Sequence, residues 1–276
     1  MKCFVCLGFT VFAAVLFPEG EGAKTLARNC SNRLKVVRMD VTKEAEVQEV
    51  VKQVEAAKLP LWAVVNNAGI GLGAPFDWGH DVDEYRKVFE VNVFGLVRVT
   101  KQLMPLLRKT KGSRVVNVAS VAGRVAAPTM AHYCMAKHSV RVFSDVLRRE
   151  LNHRKTEIPS ENVSVVVIEP IFYKTPIANV ETIARQRANA FERTEEHIKA
   201  AYSEEFRRNL DTSAADRIGK LMRDNVGEVV DALEAAVTLV SPKLYYRCCG
   251  YGHVLTTFAA SHLPEALLDW FIARRS

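Results

Sequence analysis

The chain has 276 residues, 49% hydrophobic and 25% charged. Those proportions suit one globular domain with a large core and exclude a disordered chain. A net charge of +7 and a pI near 9.1 favour anionic surfaces, membranes and phosphorylated cofactors, but the basic residues are scattered over helices and imply no nucleic-acid partner.

Met1-Lys2 precedes a mostly apolar run, Cys3 to Phe17. It matches a signal-peptide core and is short for a spanning helix. It also fits a buried strand over Phe9–Leu16. A helix follows over 23–29, then a strand over Leu34–Arg38 ending at Met39-Asp40. Thr42 caps an amphipathic helix over Glu44–Ala57. Leu61–Val65 is a buried strand ending on Asn66-Asn67-Ala68-Gly69. After a loop over Gly71–Gly79, Val82–Arg108 reads as a long helix with a break at Pro105. Ser113–Ala119 is a strand, His132–Leu151 a helix, and Val163–Ile168 a strand ending at Glu169-Pro170. Ile171 to Arg208 reads as polar and irregular. Asn225–Val240 is a helix, Leu244–Tyr246 a last strand, and Leu263–Ile272 a short apolar helix. Val-rich strands alternating with helices argue for an α/β fold, a parallel sheet covered on both faces. In such sheets ligands bind beyond the carboxyl ends of the strands, where Asp40, Asn67, Ser120 and Pro170 all fall. The six cysteines, Cys3, Cys6, Cys30, Cys134, Cys248 and Cys249, show no metal-ligand pattern and read as reduced thiols of an intracellular protein.

The stretch from Val115 to Lys137 carries the chemistry. A strand delivers Ser120, and the i,i+4 spacing of Tyr133 and Lys137 stacks both on one helix face. A Tyr of pKa about 10 is a poor base near neutrality. Lowering that value by about three units takes roughly 4 kcal/mol. An ammonium about 4–5 Å away supplies roughly 3–4 kcal/mol at an effective dielectric near 20. Tyr133 then exchanges a proton, Ser120 holds the substrate oxygen, and a hydride moves at carbon.

Three further features join that trio: Asn66-Asn67-Ala68-Gly69 after one strand, Asn92 within Val91-Asn92-Val93-Phe94-Gly95, and their order along the chain. Together, from about Phe9 to the C-terminus, they resemble the short-chain dehydrogenase/reductase family. Leu61-Trp62 and Tyr246-Arg247-Cys248-Cys249-Gly250-Tyr251 resemble its branch of retinol, hydroxysteroid and 3-hydroxybutyrate dehydrogenases. The resemblance implies a Rossmann-like doubly wound domain over residues 1–276, with the Phe9 segment as the family's second strand. It implies catalytic roles for Asn92, Ser120, Tyr133 and Lys137, with Asn92 in a proton relay to Lys137. It implies cofactor contacts at Asp40, Asn67, Ala68, Gly69, Tyr133, Lys137, Pro170 and Thr175, with Ile171 where the family has Gly, and a substrate lid over 176–223.

The family's opening strand and glycine-rich phosphate turn have no counterpart here, so the chain reads as an N-terminally truncated member whose neighbouring strands lose a partner. Gly20-Glu21-Gly22 is no substitute. Glu19 and Glu21 would each repel a phosphate by roughly 2–3 kcal/mol, against about 0.3–2 kcal/mol from a helix N-terminus. Val15-Leu16-Phe17-Pro18-Glu19 lacks Arg and Lys, which favours NAD and leaves NADP open. The expected substrate is a small apolar alcohol or ketone: a retinoid, a steroid or a 3-hydroxy acid. A homodimer through the tyrosine helix and a membrane surface, that of the endoplasmic reticulum or mitochondrion, are the further expected partners. The competing reading is a catalytically silent relative acting through protein or membrane contacts.

Overall fold

The computed structural model describes residues 4–71, 73–79, 82–158, 162–250 and 263–273. The expectations on Cys3 and Tyr251 lie outside them. In chain order the strands are β1 (Val11–Val15), β2 (Leu34–Arg38), β3 (Ala63–Asn66), β4 (Arg114–Val118), β5 (Ser164–Pro170) and β6 (Tyr245–Cys248). The helices are α1 (Glu21–Asn29), α2 (Glu44–Ala56), α3 (Asp83–Phe89), α4 (Leu96–Arg108), α5 (Ala131–Glu157), α6 (Val180–Glu192), α7 (Glu196–Lys199), α8 (Glu204–Leu221), α9 (Gly227–Thr238) and α10 (Glu265–Ala273). Every strand pairing is parallel. The strands form two sheets, β1-β2 and β3-β4-β5-β6.

Alternation along β4 shows why both faces are covered. Val115 joins Val47, Val99, Leu103, Leu107 and Leu151 on one face. Val116 joins Val166, Ile168, Ala232 and Ala236 on the other. Burying each such side chain contributes about 1.5–3 kcal/mol. A polar ladder crosses this core. Asn66 Nδ2 donates to Thr100 Oγ1 at 2.9 Å and Asn117 Oδ1 at 2.8 Å, and Asn117 Nδ2 donates to Ser144 Oγ at 2.9 Å. Buried amides are tolerable because each is paired. At the opposite end of the strands, Arg114 donates to the carbonyls of Ala236, Val237 and Leu239, closing the C-terminus of α9. Trp62 adds an Nε1 bond to Val237 O at 2.8 Å.

The two sheets are stapled by α4. Arg98 donates to Val41 O at 2.6 Å, Glu44 at 3.0 Å and Glu90 at 2.8 Å. Val47 of α2 packs in the same core as Val99 and Leu103 of α4.

Two sequence expectations need correction. Pro105 does not break α4, because Leu103, Met104 and Leu107 around it are buried and hold the helix. The long helix instead changes pitch at Glu90–Gly95, a π-helical turn. Gly95 fits tightly there: a Cβ would lie 2.7 Å from Val41 Cγ2. Most of the region read as irregular over 171–208 is helical. Asn179 caps α6 by accepting from Thr182 N at 2.7 Å, and Ser203 caps α8 by accepting from Phe206 N at 3.0 Å. Among the described residues no helix is long and apolar enough to cross a membrane. The strand expected over Phe9–Leu16 is β1, paired to β2 from Val11↔Leu34 to Val15↔Arg38.

Candidate active site

The carboxyl ends of β3, β4 and β5 and the first turns of α5 bring the predicted trio together. Ser120 follows β4 and caps a short 3-10 turn, Val121–Gly123, by accepting from Ala122 N at 3.1 Å. Its hydroxyl donates to Pro170 O at 3.3 Å, which ties the end of β4 to the end of β5. Tyr133 and Lys137 stand one turn apart on α5. The Tyr133 hydroxyl is hydrogen-bonded to Ser120. The Lys137 ammonium lies 5.7 Å from the Tyr133 ring centroid and donates to Val118 O at 2.9 Å.

The electrostatics differ from the sequence expectation. Burial pushes the Tyr133 phenol up to about 12, with the Ser120 bond opposing it. Burial pushes Lys137 down to about 8. The ammonium sits near the ring centroid and is engaged by a backbone carbonyl, so desolvation outweighs its attraction for a phenolate. At neutral pH the pair is therefore phenol and ammonium, a proton donor ready for a carbonyl oxygen.

Asn92 is 1% exposed and lies in the π-helical turn. Its Oδ1 accepts from Ile70 N at 2.8 Å and its Nδ2 donates to Ile70 O at 2.9 Å. Both contacts fix the backbone just beyond Asn67-Ala68-Gly69. These are anchoring contacts. Gly69 stands against both groups: a Cβ would lie 3.4 Å from Asn92 Oδ1 and 3.6 Å from Lys137 Nζ. Gly123 fits α5 more tightly, since a Cβ there would clash with Lys137 O at 2.7 Å.

The remaining expected residues sit around this centre. Asp40 Oδ1 accepts from Thr42 N at 2.9 Å and Thr42 Oγ1 at 2.7 Å, which holds its carboxyl below the usual range. Asp40 and Asn67–Gly69 line one cavity of about 780 Å³. Pro170 ends β5, and Thr175 donates to Tyr173 O at 3.1 Å. Gly20 stands at the N-terminus of α1, with Glu21 in its first turn and Glu19 paired to Lys24 at 3.6 Å.

Sequence reasoning missed a charged clamp beneath the site. Glu169 is fully buried, and Arg124 Nε reaches both its oxygens at 2.8 Å. Arg247 lies at 3.6 Å and Arg141 at 3.7 Å. The clamp joins the segment after Ser120 to β5, β6 and α5. The signal was a Glu inside an apolar strand, which needs a partner when buried. Also missed was Arg187, 5% exposed on α6, which donates to Gly73 O, Asp211 and Thr129.

Residues 2–188 match the short chain dehydrogenase family. The chain is 35% identical over 277 residues to estradiol 17-beta-dehydrogenase 2 of Rattus norvegicus, covering 96% of this chain and 68% of that protein. It is 35% identical over 277 residues to retinol dehydrogenase 5 of Mus musculus, covering 97% and 82%. A crystal structure of a short chain dehydrogenase/reductase from Burkholderia phymatum in complex with NAD superposes with a TM-score of 0.68, at 23% identity, over 92% of this chain and 84% of that one.

Proposed function

The chain belongs to the short-chain dehydrogenase family of NAD(P)-dependent oxidoreductases, and on that premise we propose that it interconverts the hydroxyl and carbonyl of a steroid- or retinoid-like lipid. The observation that carries this reading is the convergence of Ser120, Tyr133 and Lys137 at the carboxyl ends of β4 and β5.

The residues fit the reactive half of a nicotinamide dinucleotide. Gly69 packs beside Lys137 Nζ and Asn92 Oδ1, and Pro170 and Thr175 flank the same strand ends. Asn67, Ala68 and Asp40 would hold the adenosine side, and the neutral-to-acidic run Val15–Glu19 favours NAD. The phosphates fit less well, since α1 opens with Glu19 and Glu21. The dinucleotide, when bound, supplies the hydride exchange.

The chain's own residues do the rest. Ser120 Oγ donates to the substrate oxygen. Tyr133 Oη gives its proton to that oxygen in reduction and takes it back in oxidation. Lys137 biases Tyr133 toward the phenolate and would reach the ribose hydroxyls. Asn92 holds the Ile70 backbone, and so the turn before it, in place. Helices α6 to α8 over 176–223 form the substrate lid, closed at one edge by Arg187 and the ring cluster of Trp78, Phe191 and Tyr202. The exposed Met135, Val142 and Val146 on α5 support a homodimer through that helix.

The test is dinucleotide titration by fluorescence, followed by turnover of estradiol and retinol. Tyr133→Phe should abolish turnover at unchanged dinucleotide affinity. Equal turnover in the variant would remove Tyr133 from the chemistry. Absence of dinucleotide binding would remove the oxidoreductase reading for this chain.

A further inference from the structure

Glu169 and Arg247 stand opposite each other in the register of β5 and β6, and Val167 and Tyr245 pair two residues earlier. Val167 and Tyr245 pack with Val140 of α5. By alternation Glu169, Tyr245 and Arg247 therefore share the sheet face that looks toward α5. Arg141 approaches Glu169 from α5, and Arg124 approaches from the segment after Ser120. Three guanidiniums converge on one buried carboxylate.

They do not engage it equally. Arg124 Nε lies 2.8 Å from both oxygens and neutralises the charge. Arg247 and Arg141 come only to 3.6 and 3.7 Å, beyond hydrogen-bond range. Among the described residues neither donates a hydrogen bond, and Arg141 Nε is buried without an acceptor. By contrast Arg98, Arg114 and Arg187 each donate to three groups.

The neighbouring carboxylates do not correct the imbalance. Asp145 accepts from Arg148 at 2.8 Å and from the Tyr245 hydroxyl at 2.7 Å. Glu228 is held by Arg223 and Tyr173. The Tyr245 ring lies 4.9 Å from the Arg124 guanidinium and 5.9 Å from that of Arg141. A ring face attracts a cation but brings no counter-charge. Glu169, Asp145 and Glu228 thus each have an arginine of their own, and Arg141 and Arg247 remain as two uncompensated charges. Their side chains are 31% and 29% exposed, so an ion in solution can reach them.

We propose that Arg141 and Arg247 form a binding site for a tetrahedral oxyanion of the phosphate or sulfate class. Two uncompensated guanidiniums match one dianion in charge, and each planar fork can offer parallel N–H groups to its oxygens. Both approach Glu169 by Nε, which leaves Nη1 and Nη2 for the anion. Glu169 does not expel the ion, because Arg124 already neutralises it. The bound anion bridges α5 to β6 behind the segment that carries Ser120. This site is separate from the proposed dinucleotide cleft at Asp40 and Asn67, because β3 and β6 are opposite edges of the four-stranded sheet. It also lies off the Met135, Val142 and Val146 stripe of α5, since Arg141 and Asp145 turn toward Tyr245. The inference does not depend on the proposed activity.

The test is thermal unfolding of the full chain in about 20 mM inorganic phosphate and in chloride at equal ionic strength. With an affinity of about 1 mM, phosphate should raise Tm by about 3–6 °C over chloride. Arg141→Gln and Arg247→Gln should each remove most of that rise, and Arg247→Lys, which keeps the charge without the fork, should retain part of it. Sulfate should act like phosphate. A phosphomonoester such as glycerol phosphate, if equally effective, supports a site open to esterified phosphate; if ineffective, it supports one that takes the free ion. Equal Tm in phosphate and chloride would overturn the proposal. So would a rise that persists in both glutamine variants, or one that saturating dinucleotide abolishes, since phosphate would then be binding elsewhere. Self-association without phosphate that Arg247→Gln disperses would assign the counter-charge to a second copy of the chain, and would also overturn it.

Discussion

Lys137→Met should make the protein more stable and inactive. Lys137 is 4% exposed, and burial brings its pKa from 10.5 to about 8. At about 1.4 kcal/mol per tenfold, keeping the ammonium charged inside the fold costs about 3 kcal/mol at pH 7. Methionine matches the length of the stem but forfeits the Nζ bond to Val118 O, a loss of about 1–2 kcal/mol. The net gain is about 1–2 kcal/mol, or several degrees in Tm. The pH dependence is the sharper check. The native state gives up this proton near pH 8 and the unfolded chain near 10.5. Between those values the unfolded chain holds more protons, so wild-type stability rises with pH. The advantage of the variant should be full at pH 7, shrink above 8 and reverse near 10. Urea unfolding across that range measures it. A variant less stable than wild type at pH 7, or a difference that does not move with pH, would refute the description of Lys137 as a charge held in the fold at a cost.

Alcohol oxidation should accelerate about tenfold per pH unit between 6 and 8. Burial holds the Tyr133 proton on the phenol up to about 12, so the phenolate is scarce but grows with pH; a flat kcat/KM profile in initial-rate assays would count against it. Above about pH 8 the slope should fall as Lys137 loses its charge. Glu169→Gln should cost on the order of 3 kcal/mol in denaturant unfolding, because Arg124, Arg141 and Arg247 lose their buried counter-charge. Gly123→Ala should cost about 1–3 kcal/mol and depress turnover, since its methyl would meet Lys137 O at 2.7 Å; unchanged thermal stability would show that the 3-10 turn shifts freely.

The central strands and the trio were legible because their signals are local. A Val run, a terminal Ser and a Tyr and Lys one helical turn apart need no partner from elsewhere to be read. Periodicity carried the bounds of β2 and α2 almost unchanged. Helices α6 and α8 were misread as irregular because they bury little apolar surface, packing mainly on the small cluster of Trp78, Ala190 and Phe191. Their caps, Asn179 and Ser203, were the available signal. The π-helical turn at Asn92 had no local signature: it follows from tight packing of Gly95 on Val41, some fifty residues earlier in the chain. The sign of the Tyr133 shift was likewise a tertiary property. Spacing places an ammonium near the ring, but burial of both groups decides which effect wins.

The division into two sheets explains how one half of the site can be firmly built beside a half that is open. Ser120, Tyr133, Lys137 and Asn92 are all tied to β3, β4, β5 or α5 through Pro170, Val118 and Ile70. Those strands share a continuous ladder and a doubly covered core. Asp40 belongs to the other sheet, joined to the first by the packing of α2 on α4 and the bridges of Arg98. A displacement of β1-β2 therefore moves Asp40 while leaving Ser120, Tyr133 and Lys137 in register. Side-chain bridges alone make a softer hinge than a ladder of backbone bonds. It follows that loosening the joint at Arg98 acts first on Asp40 and reaches Tyr133 only through Asn67–Gly69. Arg98→Ala should then change dinucleotide affinity more than the pH midpoint of turnover. Equal movement of both would mean that the two sheets already respond as one body.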